Sequence, residues 1–81
     1  MFTVYVLYSV VYNKIYIGVT SDLSGRMLSH NELGTKGWTI RYRPWELLYT
    51  EEYITKSEAL KREQELKSYQ GRLFIRSLLK G

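Results

Sequence analysis

Five side chains in this sequence have the types and the order that phosphoryl chemistry uses: Tyr5, Tyr16, Arg26, His30 and Glu63. A guanidinium suits the extra negative charge of a phosphoryl transition state, and a histidine normally titrates near neutral pH. A phenol can move a proton only with help from its surroundings, because its free pKa is about 10. Each residue also has a plainer reading. Cross-strand tyrosines stabilise sheets, Arg26 could pair with a carboxylate, and His30 could be a polar surface residue. The set acquires a chemical meaning only if the fold brings its members together.

The two tyrosines belong to a hairpin. Residues Phe2 to Ser9 and Lys14 to Thr20 are rich in β-branched and aromatic side chains, and Tyr12-Asn13 supplies a turn between them. With an even loop, the two-residue period puts Phe2, Val4, Val6 and Tyr8 on one face with Ile15, Ile17 and Val19. That face is almost wholly apolar and must be core. The other carries Tyr5, Leu7, Lys14, Tyr16 and Gly18, so the phenols become near or diagonal neighbours. Gly18 leaves bare backbone beside Tyr16, as close approach by a substrate or another chain segment requires.

Helices supply the remaining candidates. Thr20-Ser21-Asp22 offers caps for a helix from Leu23 towards Asn31, ended by Gly34 and Gly37. Arg26 and His30 are four apart on it, beside the inward stripe of Leu23 and Met27. A third strand follows Pro44, over Trp45 to Tyr53. Thr55 and Glu58 form a capping box, reciprocally satisfying free amides, for a helix reaching about Lys67. Its apolar positions Ala59, Leu60 and Leu66 flank Glu63, which therefore projects from the packing face; Glu58 and Glu65 do not. Such a carboxylate is costly unless compensated. Glu63 either pairs with Arg26 or a tyrosine hydroxyl, or holds a cation. One carboxylate fits Mg²⁺, which keeps several waters and takes phosphate oxygens, whereas a two-metal site needs more inward acids. A last helix, about Arg72 to Leu79, has Phe74, Ile75, Leu78 and Leu79 as its core stripe and Arg72, Arg76 and Lys80 outside it.

Composition bounds the class. Eighty-one residues suffice for a single domain, 1–81, with a small core. Without cysteine there are neither disulfides nor thiolate ligands, which suits a cytoplasmic protein, and the interrupted N-terminal apolar run is too short and polar for a membrane span. Twelve Lys and Arg against eight Asp and Glu leave a charge of +4, a modest attraction for a polyanion. Lys36, Arg41 and Arg43 cluster with Trp38 and Tyr42, where cations meet phosphates and rings stack on exposed bases; Lys14 adds a cation on the tyrosine face. A solvated loop with Trp38 tucked into the core explains the cluster equally well.

The ordered set Thr3-Val4-Tyr5, Tyr16-Ile17-Gly18, Thr20 to His30, Arg43 to Tyr49 and Ser57 to Lys67 resembles the GIY-YIG nuclease superfamily over nearly the whole chain. Within it the sequence is similar to small stand-alone proteins akin to the N-terminal nuclease domain of the bacterial excision-repair endonuclease. The second motif is intact; in the first, Thr3 replaces the glycine and Val4 the isoleucine. The resemblance implies an α+β fold, a three-stranded antiparallel sheet flanked by three helices in the order β-β-α-β-α-α. It implies a metal-dependent endonuclease acting on DNA, in repair or recombination, with another protein supplying DNA specificity. Glu63 would hold one divalent ion, Mg²⁺ or Mn²⁺, and Tyr5 would help to deprotonate the attacking water. Tyr16 would orient water or phosphate, and Arg26 would neutralise the non-bridging oxygens. Two other classes share the fold: a nucleic-acid-binding module without turnover, and a protein-interaction domain in which Glu63 pairs with Arg26 and the tyrosines pack.

Overall fold

The hairpin forms where β-branched and aromatic residues are densest, and its four-residue loop holds the predicted parity. The computed structural model describes residues 1–34 and 37–80. Strands β1 (Phe2–Ser9) and β2 (Lys14–Thr20) lead into helix α1 (Leu23–Leu28), a π-helical turn (Ser29–Leu33) and a 3₁₀ helix (Trp38–Tyr42). Strand β3 (Glu46–Tyr53) and helices α2 (Lys56–Lys67) and α3 (Tyr69–Lys80) complete the chain. The sheet is antiparallel with order β2-β1-β3, which leaves β2 and β3 as its two edges. Among the described residues no helix is long and apolar enough to cross a membrane.

Both faces of the sheet are covered. On one, Val4, Val6 and Ile17 pack against Ala59, Leu66 and Ile75 of the two long helices. On the other, Tyr5, Leu7 and Trp45 form a second cluster with Tyr16, Leu23, Met27 and Tyr42. The face that carries the tyrosines is therefore not an open surface. Leu23 and Met27 of α1 close over it because their i, i+4 spacing gives that short helix one apolar side.

Local differences from the sequence reading have local causes. Trp45 is buried just before β3 rather than within it, and a register shift between Val6 and Leu7 leaves Leu48 as an extra residue in the bulge. Helix α1 gives way at Ser29 to the π turn instead of running on as an α-helix. Helix α3 starts a turn earlier than the apolar stripe suggests, because the Ser68 hydroxyl accepts from Gly71 N at 3.2 Å and Arg72 N donates to the Ser68 carbonyl at 2.9 Å. In the predicted capping box, the Thr55 hydroxyl accepts from Glu58 N at 3.2 Å, but the Glu58 carboxylate takes the Thr55 hydroxyl rather than its amide. Leu60, read as inward, is exposed.

An inward carboxylate that the pattern does not flag is Glu51 on β3. It accepts from the hydroxyls of Tyr49 and Tyr53 and from Arg62 Nε at 2.9 Å and Nη2 at 3.1 Å. Burial pushes its pKa up, but the Arg62 and tyrosine donors more than offset this and hold it below the usual carboxylate range.

Helices α2 and α3 cross so closely that Gly71 has no room for a side chain. A Cβ there would stand 2.3 Å from the Glu65 carbonyl oxygen and 2.4 Å from Leu66 Cα. Gly71→Ala should therefore destabilise the protein by about 1–3 kcal/mol, although alanine is the better helix former, and urea unfolding would measure it. A variant as stable as the wild type would show that the helices separate freely.

Candidate catalytic cleft

Register brings the site together from the sheet outwards. Tyr5 lies opposite Gly18, and Tyr16 lies opposite Leu7, so the two phenols are diagonal neighbours. The bare backbone at Gly18 is filled from within the chain: a Cβ there would meet Tyr5 Cζ and Oη at 2.7 Å. The Tyr5 ring lies across the glycine and is 0% exposed. Its hydroxyl reaches His30 Nε2 at 3.0 Å, and His30 Nδ1 reaches Thr39 Oγ1 at 3.1 Å. The Tyr16 ring stands 4.8 Å from the His30 ring and 6.1 Å from Tyr5, centroid to centroid.

His30 is thus a buried residue, 6% exposed, rather than a surface one. The π turn places it there, an irregularity that often accompanies functional sites. That turn is held by side chains from the following segment. Arg43 donates to the carbonyls of His30, Ser29 and Gly34, the last two at 3.0 and 2.8 Å. Asn31 brackets Trp45, donating to its carbonyl at 3.0 Å and accepting from its amide at 2.6 Å. Arg43, predicted as a phosphate contact, spends its donors on backbone carbonyls that the helix end leaves free.

Electrostatics set the protonation states. Burial, then the nearby cations Arg26 and Arg43, push the His30 pKa below its ordinary value, so the imidazole is neutral at pH 7. Burial also raises the Tyr5 pKa above that of a free phenol, against the opposing pull of Arg26. The Tyr5 hydroxyl beside it raises the Arg26 pKa further. Arg26 is exposed and makes no ion pair among the described residues, so the carboxylate partner open to it in sequence is not used.

Arg26, His30, Thr39, Trp38 and Tyr16 line a cleft of about 280 Å³. Tyr16 also lines a second cleft, of about 250 Å³, with Ile15, Ile17, Glu63, Lys67 and Arg72. Glu63 comes from α2, on the opposite face of the sheet, and reaches the free edge of β2, where Tyr16 separates it from Arg26 and His30. It is half-buried and its partner is Lys67 Nζ at 3.5 Å, one turn along the same helix, not Arg26 or a phenol. Among the described residues no three His, Asp or Glu side chains converge, and Glu63 is the one carboxylate among those lining this cleft, so a cation here would rest on it. That donor set fits a hard cation completed by water and phosphate oxygens.

The outer candidates divide. Lys14 lies 5.5 Å above the Tyr42 ring and Arg41 6.0 Å from it, while the Trp38 ring packs 4.7 Å from Tyr42 and remains half exposed. Lys36 lies outside the described residues. Thr39 escaped the sequence reading because no spacing rule links a hydroxyl in a loop to a histidine on a helix.

Residues 1–73 match the family described as the GIY-YIG catalytic domain. The chain belongs to the GIY-YIG family. Its relatives include a UPF0213 protein of Staphylococcus epidermidis, 51% identical over 57 residues that cover 69% of this chain and 68% of that protein. A UPF0213 protein of Staphylococcus aureus is 46% identical over 56 residues, with the same coverage. The solution structure of a UPF0213 protein from Bacillus halodurans is similar with a TM-score of 0.56 and 28% identity, covering 96% of this chain and 85% of that one. Thr3, in place of the motif glycine, continues β1 between Thr20 and Glu52, so the strand leading to Tyr5 is intact.

The lowered His30 pKa has a sign in stability. The unfolded chain binds the proton more readily, so stability should fall as pH drops from about 6.5 towards the lower folded value, by at most about 1.4 kcal/mol per pH unit. Urea unfolding across that range should show the slope in wild type and lose it in His30→Gln. A wild-type midpoint flat in pH there would contradict the buried neutral imidazole.

Proposed function

We propose that the protein is a metal-dependent endonuclease that hydrolyses phosphodiester bonds of DNA. The observation that carries this reading is Tyr16 standing as the shared wall between a cleft holding Arg26 and His30 and a cleft holding Glu63. Membership of a family named for its catalytic domain supports it. Glu63 would hold one divalent cation, Mg²⁺ or Mn²⁺, which when bound supplies Lewis-acid stabilisation of the departing oxygen. The other roles fall to this chain's own groups. Arg26 neutralises the non-bridging phosphoryl oxygens, and Tyr16 orients phosphate or water at the mouth of the cleft.

The attacking water loses its proton to a Tyr5–His30 pair. Tyr5 alone is a poor base, since burial raises its pKa. Its hydroxyl is in contact with a neutral imidazole, so the phenol can pass its own proton to His30 Nε2 as its oxygen takes one from water. The transfer requires the tautomer protonated at Nδ1, a proton that the Thr39 hydroxyl 3.1 Å away can accept, leaving the Nε2 lone pair to face Tyr5. Tyr16 and Arg26 are the side chains beside the Tyr5 oxygen, and because Tyr5 is fully buried the attacking water would have to enter between them.

DNA cleavage with Mg²⁺ or Mn²⁺ should be lost in Glu63→Gln and fall by about 10²–10⁴-fold in Tyr5→Phe, which keeps the packed ring. Arg26→Ala should lose about 10²–10³-fold without a change in unfolding midpoint, because that side chain is exposed. Equal turnover by wild type and Glu63→Gln would sink the mechanism.

A further inference from the structure

Beside the cleft, aromatic rings run in an unbroken series from the hairpin loop to the site. Tyr12 meets Tyr42 at 5.4 Å, Tyr42 meets Trp38 at 4.7 Å, and Trp38 meets Trp45 at 5.7 Å; Trp45 then meets Tyr16 at 6.4 Å. The inner end is buried and explained by packing. The outer end is not: Trp38 is 45% and Tyr12 49% exposed, so large ring surfaces face water. Lys14 and Arg41 sit over the ring between them, and no acidic side chain lines the adjoining Arg26 cleft among the described residues. The acidic residues of the sheet, Glu46, Glu51 and Glu52, lie on β3 at the opposite edge. Exposed aromatic faces interleaved with cations are the chemistry that holds a polynucleotide whose bases are unpaired, since a duplex stacks its bases internally and offers only backbone and groove edges.

We propose that Trp38 and Tyr12, with Lys14 and Arg41, form a stacking platform for unpaired bases, so that the cleft takes DNA that is single-stranded on the platform side of the scissile phosphate. The inference deepens the nuclease reading by naming its substrate class. Lys14 and Arg41 engage phosphates of the same strand and carry no preference for its pairing state.

Binding separates the two proposals, because it can be read without metal or turnover. With EDTA present, a fluorescent single-stranded DNA 12-mer and its duplex are titrated onto the full chain while tryptophan emission is followed. The single strand should bind more tightly and quench emission. Trp38→Leu should remove the quenching. Trp38→Leu and Tyr12→Leu should each weaken single-strand binding about tenfold and duplex binding less than twofold. Lys14→Gln should weaken both equally, and Glu63→Gln should leave the preference intact. Tyr12 lies in the exposed loop, so its variant keeps the test decisive if Trp38→Leu fails to fold. Equal affinity for both DNAs, no quenching in wild type, or equal losses on both DNAs in the ring variants would overturn the platform. Cleavage without a single-strand preference would leave the nuclease reading standing, and preference without cleavage would leave only the platform.

Discussion

A buried phenol cannot be left without a hydrogen-bond partner, and Tyr5 meets that demand at His30 Nε2, 3.0 Å away. The contact joins the centre of the sheet to the π turn, beside the Tyr16 ring that also packs on His30. For the hydroxyl to arrive there, the ring must lie flat across β2, which only a residue without a side chain at position 18 permits. The imidazole must also face inwards, which the π turn provides and Arg43 and Asn31 secure. One pairing thus ties together the glycine and tyrosine of the hairpin motifs, the helix irregularity and the segment before β3.

The two inward carboxylates show how the fold separates structural from available charge. Glu51 is saturated by two phenols and a two-nitrogen contact from Arg62. Glu63 has a single lysine at 3.5 Å and stands at a cleft wall. The first has no lone pairs to spare for a ligand, whereas the second does. Charge is also sorted by sheet edge. Arg26, Lys14 and Arg41 gather near β2, and the glutamates of β3 lie across the sheet from them, which gives an approaching polyanion a preferred side.

Hairpin pairing, both long helices and the diagonal placement of Tyr5 and Tyr16 were legible because each follows a short-range rule. Two-residue periodicity fixed which strand residues share a face, helical spacing turned Glu63 towards the protein, and Thr55 marked where α2 begins. What escaped is long-range. Thr39, Asn31 and Arg43 act through contacts across loops, and Glu51 has its partners on a neighbouring helix and its own strand. The same limit explains why Gly18 could be read as room for a substrate or for another chain segment, and only the fold shows that the occupant is Tyr5.

From the sequence alone came the order of elements, the parity of the hairpin and the candidate groups for phosphoryl chemistry. Those are local properties, set by backbone sterics and side-chain chemistry. Tertiary structure decided that His30 is buried and neutral, that Tyr5 is buried against it rather than open to solvent, and that Glu63 reaches the edge of β2 from the far side of the sheet. The physical reason is that burial and proximity depend on which surfaces meet, and the surfaces that meet here come from segments far apart in the chain.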